Sequence, residues 1–342
     1  MTVENLQTRL AAAAERLDTV MAADLATVTN HRLKEVLEHA LLAGGKRIRP
    51  LLTLLAARLT MAADQAAGAP AQPPASSGDP TALERLAIAF EYLHTASLLH
   101  DDVIDHAAQR RGRDTVNHRW DGSHAILAGD FLHARAMRLA GSHGGPPCLE
   151  LIGTATEAMV AAEFLQAATA RQRDWRQQTY FAVLDGKTAA LIAAACECGA
   201  AATGGDHTQR RALRVYGANL GLAFQIIDDL LDFLGEPQAT GKAAGNDLQE
   251  GKMTLPLLLA HERATADQRR WLERLLAAEP AQRRSELPGV RELLEQTGAF
   301  AACRAEARGL LEAGRAGLEI FPDGPERQLL QDLGDYVLRR DR

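Results

Sequence analysis

The sequence predicts an all-α protein folded as a single large helical bundle. Apolar residues recur at helical spacing through almost the whole chain, and the Gly and Pro clusters that interrupt them leave segments of helix length. Aromatic residues make up only 4% of the 342 residues. Ala and Leu dominate, and the alternation that marks a half-buried strand is hard to find.

In chain order, Leu6, Leu10, Ala13 and Leu17 form the first stripe, and Leu33, Val36, Leu37, Ala40 and Leu41 the second. Gly44 and Gly45 stop that helix, and Pro50 suits the first turn of the next. Residues 63–80 are polar and Pro-rich and read as a mobile loop, too short to link separate domains. Gly141 to Pro147 separate two further helices, and later breaks fall near Gly204–Gly205, Gly235–Gly251 and Phe321–Gly324. No fixed-period repeat is present, which argues against a solenoid. Residues 1–342 are therefore expected to form one domain.

With 46% hydrophobic residues the chain can bury a sizeable core. Its net charge is −6, from 38 basic and 44 acidic residues, which argues against nucleic acid or an anionic membrane surface as the main partner. An anionic small substrate must then be held by local basic clusters. Cys148, Cys196, Cys198 and Cys303 have neither metal-ligand nor disulfide-framework spacing, and Cys196 and Cys198, in an Ala-rich apolar run, read as small buried thiols. Met1 to Leu17 lack the pattern of a signal peptide. Arg58, Glu163 and Lys187 interrupt the best candidates for a membrane span, so no transmembrane segment and a cytoplasmic protein are expected.

The most informative segment is Leu98-Leu99-His100-Asp101-Asp102-Val103-Ile104-Asp105. On a helix, Asp101 and Asp105 project from one face, which leads back through Ser97 or Leu98 to His94 and Phe90. Clustered Asp is usually a solvated charge run. Here the apolar neighbours Leu98, Leu99, Val103 and Ile104 argue otherwise, because such carboxylates repel and lose hydration unless a cation joins them. Magnesium, which takes one or two carboxylates plus phosphate oxygens, suits them. The arrangement recurs at Gln225-Ile226-Ile227-Asp228-Asp229-Leu230-Leu231-Asp232, where Gly221 and Gly217 on the approaching face are expected to leave room for a cleft. Two such motifs point to a multi-metal site in a central cleft between Asp-rich helices.

Cations follow each cluster: Arg110 and Arg111 after the first, Lys242 and Lys252 after the second, with Asp247 between those lysines. Gly44-Gly45-Lys46-Arg47-Ile48-Arg49-Pro50 lies upstream. No Gly-x-x-x-x-Gly-Lys-Ser/Thr run and no preceding strand supports a Walker loop. Acidic and basic clusters together describe a polyphosphate held by metal on one side and cations on the other.

These motifs, with Gly129-Asp130 and Lys187-Thr188-Ala189, resemble the trans-isoprenyl diphosphate synthase family, particularly its bacterial long-chain, octaprenyl-like members. The likeness runs from about Leu33 to the C-terminal Arg-Arg-Asp-Arg. It implies an isoprenoid-synthase bundle and the magnesium-dependent condensation of isopentenyl diphosphate with an allylic diphosphate. By resemblance, Asp101, Asp105 and Asp228 bind magnesium, with Asp102, Asp229 and Asp232 assisting. Lys46, Arg49, His94 and Arg111 match the isopentenyl-diphosphate contacts. Arg110, Lys187, Thr188, Gln225, Lys242 and Lys252 match the allylic-diphosphate contacts, Lys187 also counting among the catalytic residues. A homodimer is implied, with peripheral membrane contact at product release. Asp114 and Gly122 depart from the common Pro and Asn of the family, away from any metal or phosphate position.

Three alternatives compete with this reading. A class I terpene cyclase has no need of Lys46, Arg49 and the paired lysines. A silent partner subunit typically loses Asp-motif residues, whereas both motifs are intact here. The third is a shorter-chain synthase of farnesyl or geranylgeranyl type. Against it, small Ala96 and Ser97 precede the first motif above the larger Tyr92 and Leu93, where farnesyl-type relatives carry aromatic residues. A helix rises about 5.4 Å per turn, close to one isoprene unit, so small side chains there leave the shaft open. The bland reading of Ala96 is a good helix former in an Ala-rich chain. The open-shaft reading predicts a product of about seven to ten units, eight favoured, of a length that suits a quinone side chain.

Overall fold

The predicted stripes become helices with their apolar faces inward. In α1 (Val3–Leu25), Leu6, Leu10 and Leu17 are at most 5% exposed. Asn30 caps α2 (His31–Leu41), its side chain accepting from the Leu33 amide at 3.0 Å. The structure is a computed structural model and describes residues 3–68, 79, 81–110, 112–234 and 245–340.

Next come α3 (Ile48–Ala66) and α4 (Ala82–Ile104), then two two-residue strands, β1 (Gln109–Arg110) and β2 (Arg113–Asp114), and a single turn, α5 (Val116–Arg119). α6 (Gly122–Gln172) is kinked at Gly145, with φ 71° and ψ −172°, just before Pro146 and Pro147. α7 (Gln177–Leu184) passes through a π-turn at Asp185–Ala189 into α8 (Ala190–Ala202), and α9 (His207–Leu234) follows. The remaining helices are α10 (Asn246–Glu250), α11 (Leu255–Arg263), α12 (Ala266–Ala277), α13 (Pro280–Ser285), α14 (Leu287–Gln296), α15 (Ala299–Ala316) and α16 (Pro325–Leu338).

The all-α expectation holds, with one small addition. β1 and β2 pair antiparallel, Gln109 opposite Asp114, around Gly112 at φ 73°. The loop expected over 63–80 starts later than anticipated, because α3 continues helically to Ala66. Residues 69–78 and 80 of that loop, with Arg111 and Lys242, lie outside the described residues.

The chain divides into two compact units. The first comprises Met1–Thr156, Leu191–Gly217 and Gly317–Asp332. Its core is built on Leu17, Met21, Leu37, Leu52, Leu86, Phe90 and Tyr92. Gly199 of α8 lets that helix lie against α3, since a Cβ there would stand 2.2 Å from the Thr53 carbonyl oxygen. The second unit comprises Glu157–Ala190, Ala218–Ala316 and Leu333–Arg342. Ile226, Ile227, Leu230 and Phe233 of α9 and Leu257 of α11 are fully buried in it. Cys196 and Cys198 are buried as their apolar run suggests, and Cys148 and Cys303 are free and buried as well.

Candidate active site

In the first unit, α4 carries the first Asp motif on its last turn. Asp101 is half-buried, and Asp105 is exposed at the C-cap, its amide still bonded to the Asp101 carbonyl at 2.8 Å. Asp102 turns the other way. It is 4% exposed, and its Oδ1 accepts from Arg110 Nε at 2.9 Å and Nη2 at 2.8 Å. The loop after the motif is pinned by Asn117, whose amide donates to the carbonyls of Asp102 and Ala107 at 3.1 Å.

One expectation needs correcting here. Ile104 is 70% exposed, so the motif is not enclosed by apolar neighbours on every side. The carboxylate that pays for burial is the middle one, and Arg110 compensates it. Arg110, expected to hold diphosphate, pairs with Asp102 through Nε and Nη2 in this structure.

His94, three residues after the buried Glu91, is half-buried on α4, Lys46 is exposed, and Arg49 is half-buried at the start of α3. Gly129 has a clear steric reason. A Cβ there would fall 2.3 Å from His100 Nε2, which lies 3.3 Å from the Ile126 carbonyl and 3.5 Å from Asp130 Oδ1. Ala96 and Leu93 are buried at 3% exposure, and Ser97 is half-buried with its hydroxyl on the His94 carbonyl. Tyr92 is fully buried, and its hydroxyl donates to Asp24 Oδ2 at 3.0 Å. Arg135 holds the same carboxylate from the other side, at 2.8 and 3.0 Å.

In the second unit the second motif also buries its middle carboxylate. Asp228 is exposed, Asp232 half-buried, and the middle Asp229 only 5% exposed. Asp229 accepts from the Tyr180 hydroxyl at 2.8 Å and from Gln225 Nε2 at 2.9 Å, while Thr188 donates to Gln225 Oε1 at 3.1 Å. Asp232 accepts from the backbone amides of Asn246 at 3.2 Å and Asp247 at 3.0 Å. Lys187, in the π-turn, reaches Glu163 Oε1 and Gln166 Oε1, each at 2.7 Å. Lys252 pairs with Glu250 at 2.6 Å and Asp247 at 3.3 Å. Arg340 donates to Asp228 Oδ1 at 3.3 Å and lies 4.6 Å from the centre of the Phe224 ring.

A second correction concerns Gly221 and Gly217, which do not open a cleft. A Cβ on Gly221 would stand 2.7 Å from Ala189 Cα, inside the second unit, and one on Gly217 would stand 2.8 Å from the Ile192 carbonyl oxygen, inside the first. Both glycines are there so that backbones can touch.

The electrostatics of the second motif are those of crowded carboxylates. Burial, then Asp247, and to a lesser degree Asp228, push Asp229 up to about 8. Burial and Asp247 push Asp232 up to about 6. Burial also raises Asp247. At Lys252 burial opposes the charge, but Asp247 and Glu250 outweigh it and raise its pKa. Among the described residues no group of three or more His, Cys, Asp or Glu is arranged to hold a metal by protein ligands alone. A crowded, under-compensated carboxylate set fits a hard divalent ion that completes its shell with water and substrate phosphate.

The shifts give a prediction with a definite sign. A carboxyl group whose folded pKa lies above its unfolded value of 3.8 contributes stability below that value and loses it as pH rises through the folded pKa. For metal-free protein, the melting temperature of Asp229→Asn minus that of the wild type should therefore grow between about pH 4 and pH 8. A difference that stays constant or shrinks over that window would contradict the buried-carboxyl assignment.

Tyr180, Glu163, Asp247 and Arg340 were missed as site residues. Asp247 was legible, since it stands between Lys242 and Lys252. Tyr180, Glu163 and Arg340 belong to segments whose spacing carries no comparable signal.

The model of the polyprenyl synthetase family matches residues 30–294. The chain belongs to that family. Octaprenyl diphosphate synthase of Escherichia coli (strain K12) is 35% identical over 299 residues, 87% of each protein. A decaprenyl diphosphate synthase from Rhodobacter capsulatus has a crystal structure matching with a TM-score of 0.84 at 36% identity, over 99% of both chains. The polyprenyl synthase of Caulobacter crescentus CB15, crystallised with calcium and isoprenyl diphosphate, matches with a TM-score of 0.82 at 36% identity, over 99% of this chain and 97% of that one. As a polyprenyl synthetase with the all-α isoprenoid-synthase fold, the chain is a trans-prenyltransferase, and the family depends on divalent metal.

Proposed function

We propose that this prenyltransferase adds isopentenyl diphosphate head to tail to an allylic diphosphate and makes a long-chain all-trans polyprenyl diphosphate, octaprenyl favoured, for a quinone side chain. The observation that carries the reading is the shared design of the two Asp motifs. In each, the middle carboxylate is buried on protein partners while the first and last are less buried.

Asp101, Asp105 and Asp228 hold magnesium in this reading, with Asp102, Asp229 and Asp232 fixing the motifs. Bound magnesium neutralises the allylic diphosphate and makes it a competent leaving group. Arg110, Lys187, Thr188, Gln225, Lys242 and Lys252 bind that diphosphate, and Lys46, Arg49, His94 and Arg111 bind the diphosphate of the other substrate. In the free protein Lys187 is held by Glu163 and Gln166, so binding exchanges those partners for phosphate oxygens. Apolar side chains along α4 keep water from the allylic cation. The proton lost from the condensing alkene goes to the departing diphosphate, so no protein nucleophile is needed.

The chain acts as one catalytic domain and as a homodimer. Support for a second copy comes from Val160 and Phe164, one turn apart on α6 and 54% and 77% exposed. Among the described residues no helix is long and apolar enough to cross a membrane. We place the chain in the cytoplasm on its composition, with peripheral membrane contact when so apolar a product leaves.

The test is incubation of purified protein with labelled isopentenyl diphosphate, magnesium and geranyl, farnesyl or geranylgeranyl diphosphate, followed by sizing of the products. Products of about seven to ten units are expected. Termination at farnesyl or geranylgeranyl diphosphate would replace the long-chain reading by the shorter-chain one.

A further inference from the structure

Between exposed Lys46 and half-buried Arg49 lies Arg47, 4% exposed and used by no step of the proposed reaction. Its backbone is left-handed, with φ 49° and ψ 40°, a conformation uncommon for a residue with a side chain. It follows Gly44 at φ 87° and Gly45 at φ 155°. The guanidinium donates through Nε to Asp18 Oδ1 and through Nη1 to Glu91 Oε1, both at 2.8 Å, and through Nη2 to the Leu41 carbonyl. These acceptors belong to α1, α4 and the end of α2.

The clasp suits Arg, whose planar fork presents fixed donors to three separate acceptors, where a Lys ammonium is a compact point charge on a flexible stem. The clasp settles two matters of geometry. It fixes the left-handed turn that sends Lys46 outward while its neighbour points inward. It also ties that turn to α4 at Glu91, 7% exposed and one turn before His94.

We infer that Arg47 is a positioning residue for the isopentenyl-diphosphate subsite, holding Lys46 and Arg49 in register with His94 through Glu91 and Asp18. The inference rests on the assignment of Lys46, Arg49 and His94 to that diphosphate. Pre-set cations favour binding because little ordering remains to be done when the ligand arrives.

Arg47→Gly separates the clasp from the backbone, since Gly adopts the left-handed turn without strain. The expected result is a rise of about tenfold in KM for isopentenyl diphosphate, with kcat and the primer's KM within about twofold of wild type. Glu91→Gln weakens one arm and should give the same selective rise, smaller in size; it decides the matter if Arg47→Gly does not fold. A lowered melting temperature with both Michaelis constants unchanged would show a purely structural clasp and overturn the inference. Lys46→Ala, measured alongside, separates the two levels. If it raises KM for isopentenyl diphosphate while Arg47→Gly and Glu91→Gln do not, the positioning role alone falls. If Lys46→Ala leaves that KM unchanged, the subsite assignment falls and this inference with it.

Discussion

Asp101→Ala and Asp228→Ala should each lower kcat on the order of a hundredfold to a thousandfold, with far-UV circular dichroism and melting temperature close to wild type. Asp101 is half-buried and Asp228 exposed, with Arg340 donating to Asp228 Oδ1 at 3.3 Å. Neither is among the buried residues, so replacing either costs the fold little. The replacement removes a ligand from the ion that offsets charge on the leaving diphosphate, and that charge grows toward the transition state. The middle carboxylates should behave differently. Asp102→Ala leaves Arg110 unpaired beside a buried site, so stability should fall together with rate. Near-normal kcat in Asp101→Ala or Asp228→Ala would sink the metal-ligand assignment.

Ala96→Phe should shorten the product to a few isoprene units while condensation continues, and Ser97→Phe should do the same. Ala96 is 3% exposed and Ser97 half-buried, on consecutive positions of α4 one turn before the first motif. A helix rises about 5.4 Å per turn, so a ring at either position meets the growing chain after very few additions. Below them, Tyr92 is fully buried and tied through its hydroxyl to Asp24, which Arg135 also holds. That anchorage gives α4 a rigid floor against which added bulk cannot relax. Sizing the products by chromatography decides the matter. Unchanged product lengths in both variants would show that this face of α4 does not limit the chain.

Much of this was readable from residue spacing, for identifiable reasons. The stripes of α1 and α2 follow the helical period, and the Gly44–Gly45 and Gly141–Pro147 breaks are chemical punctuation that needs no tertiary context. The Asp motifs were readable because carboxylates inside apolar helices are costly. Which carboxylate of each motif is buried was not readable. That depends on Arg110, Tyr180 and Gln225, whose approach is set by packing. Gly217 and Gly221 misled for the same reason, since a small residue in a helix is equally consistent with empty space and with a second backbone, and packing density decides which. Arg47 looked like one more cation in a basic run, and only its burial against Glu91 and Asp18 separates it from Lys46. The two-residue hairpin at Gln109–Asp114 is too short to generate any periodic signal.

The measurement that bears most directly on the central claim is the condensation rate of chelator-stripped protein as magnesium is returned, with isopentenyl diphosphate and farnesyl diphosphate as substrates. If Asp101 and Asp228 act by holding divalent metal for the diphosphate, the stripped protein is inactive, magnesium restores its rate, and Asp101→Ala and Asp228→Ala need more magnesium for half-maximal rate. A full rate in excess chelator, or identical magnesium dependence in wild type and both variants, would contradict it.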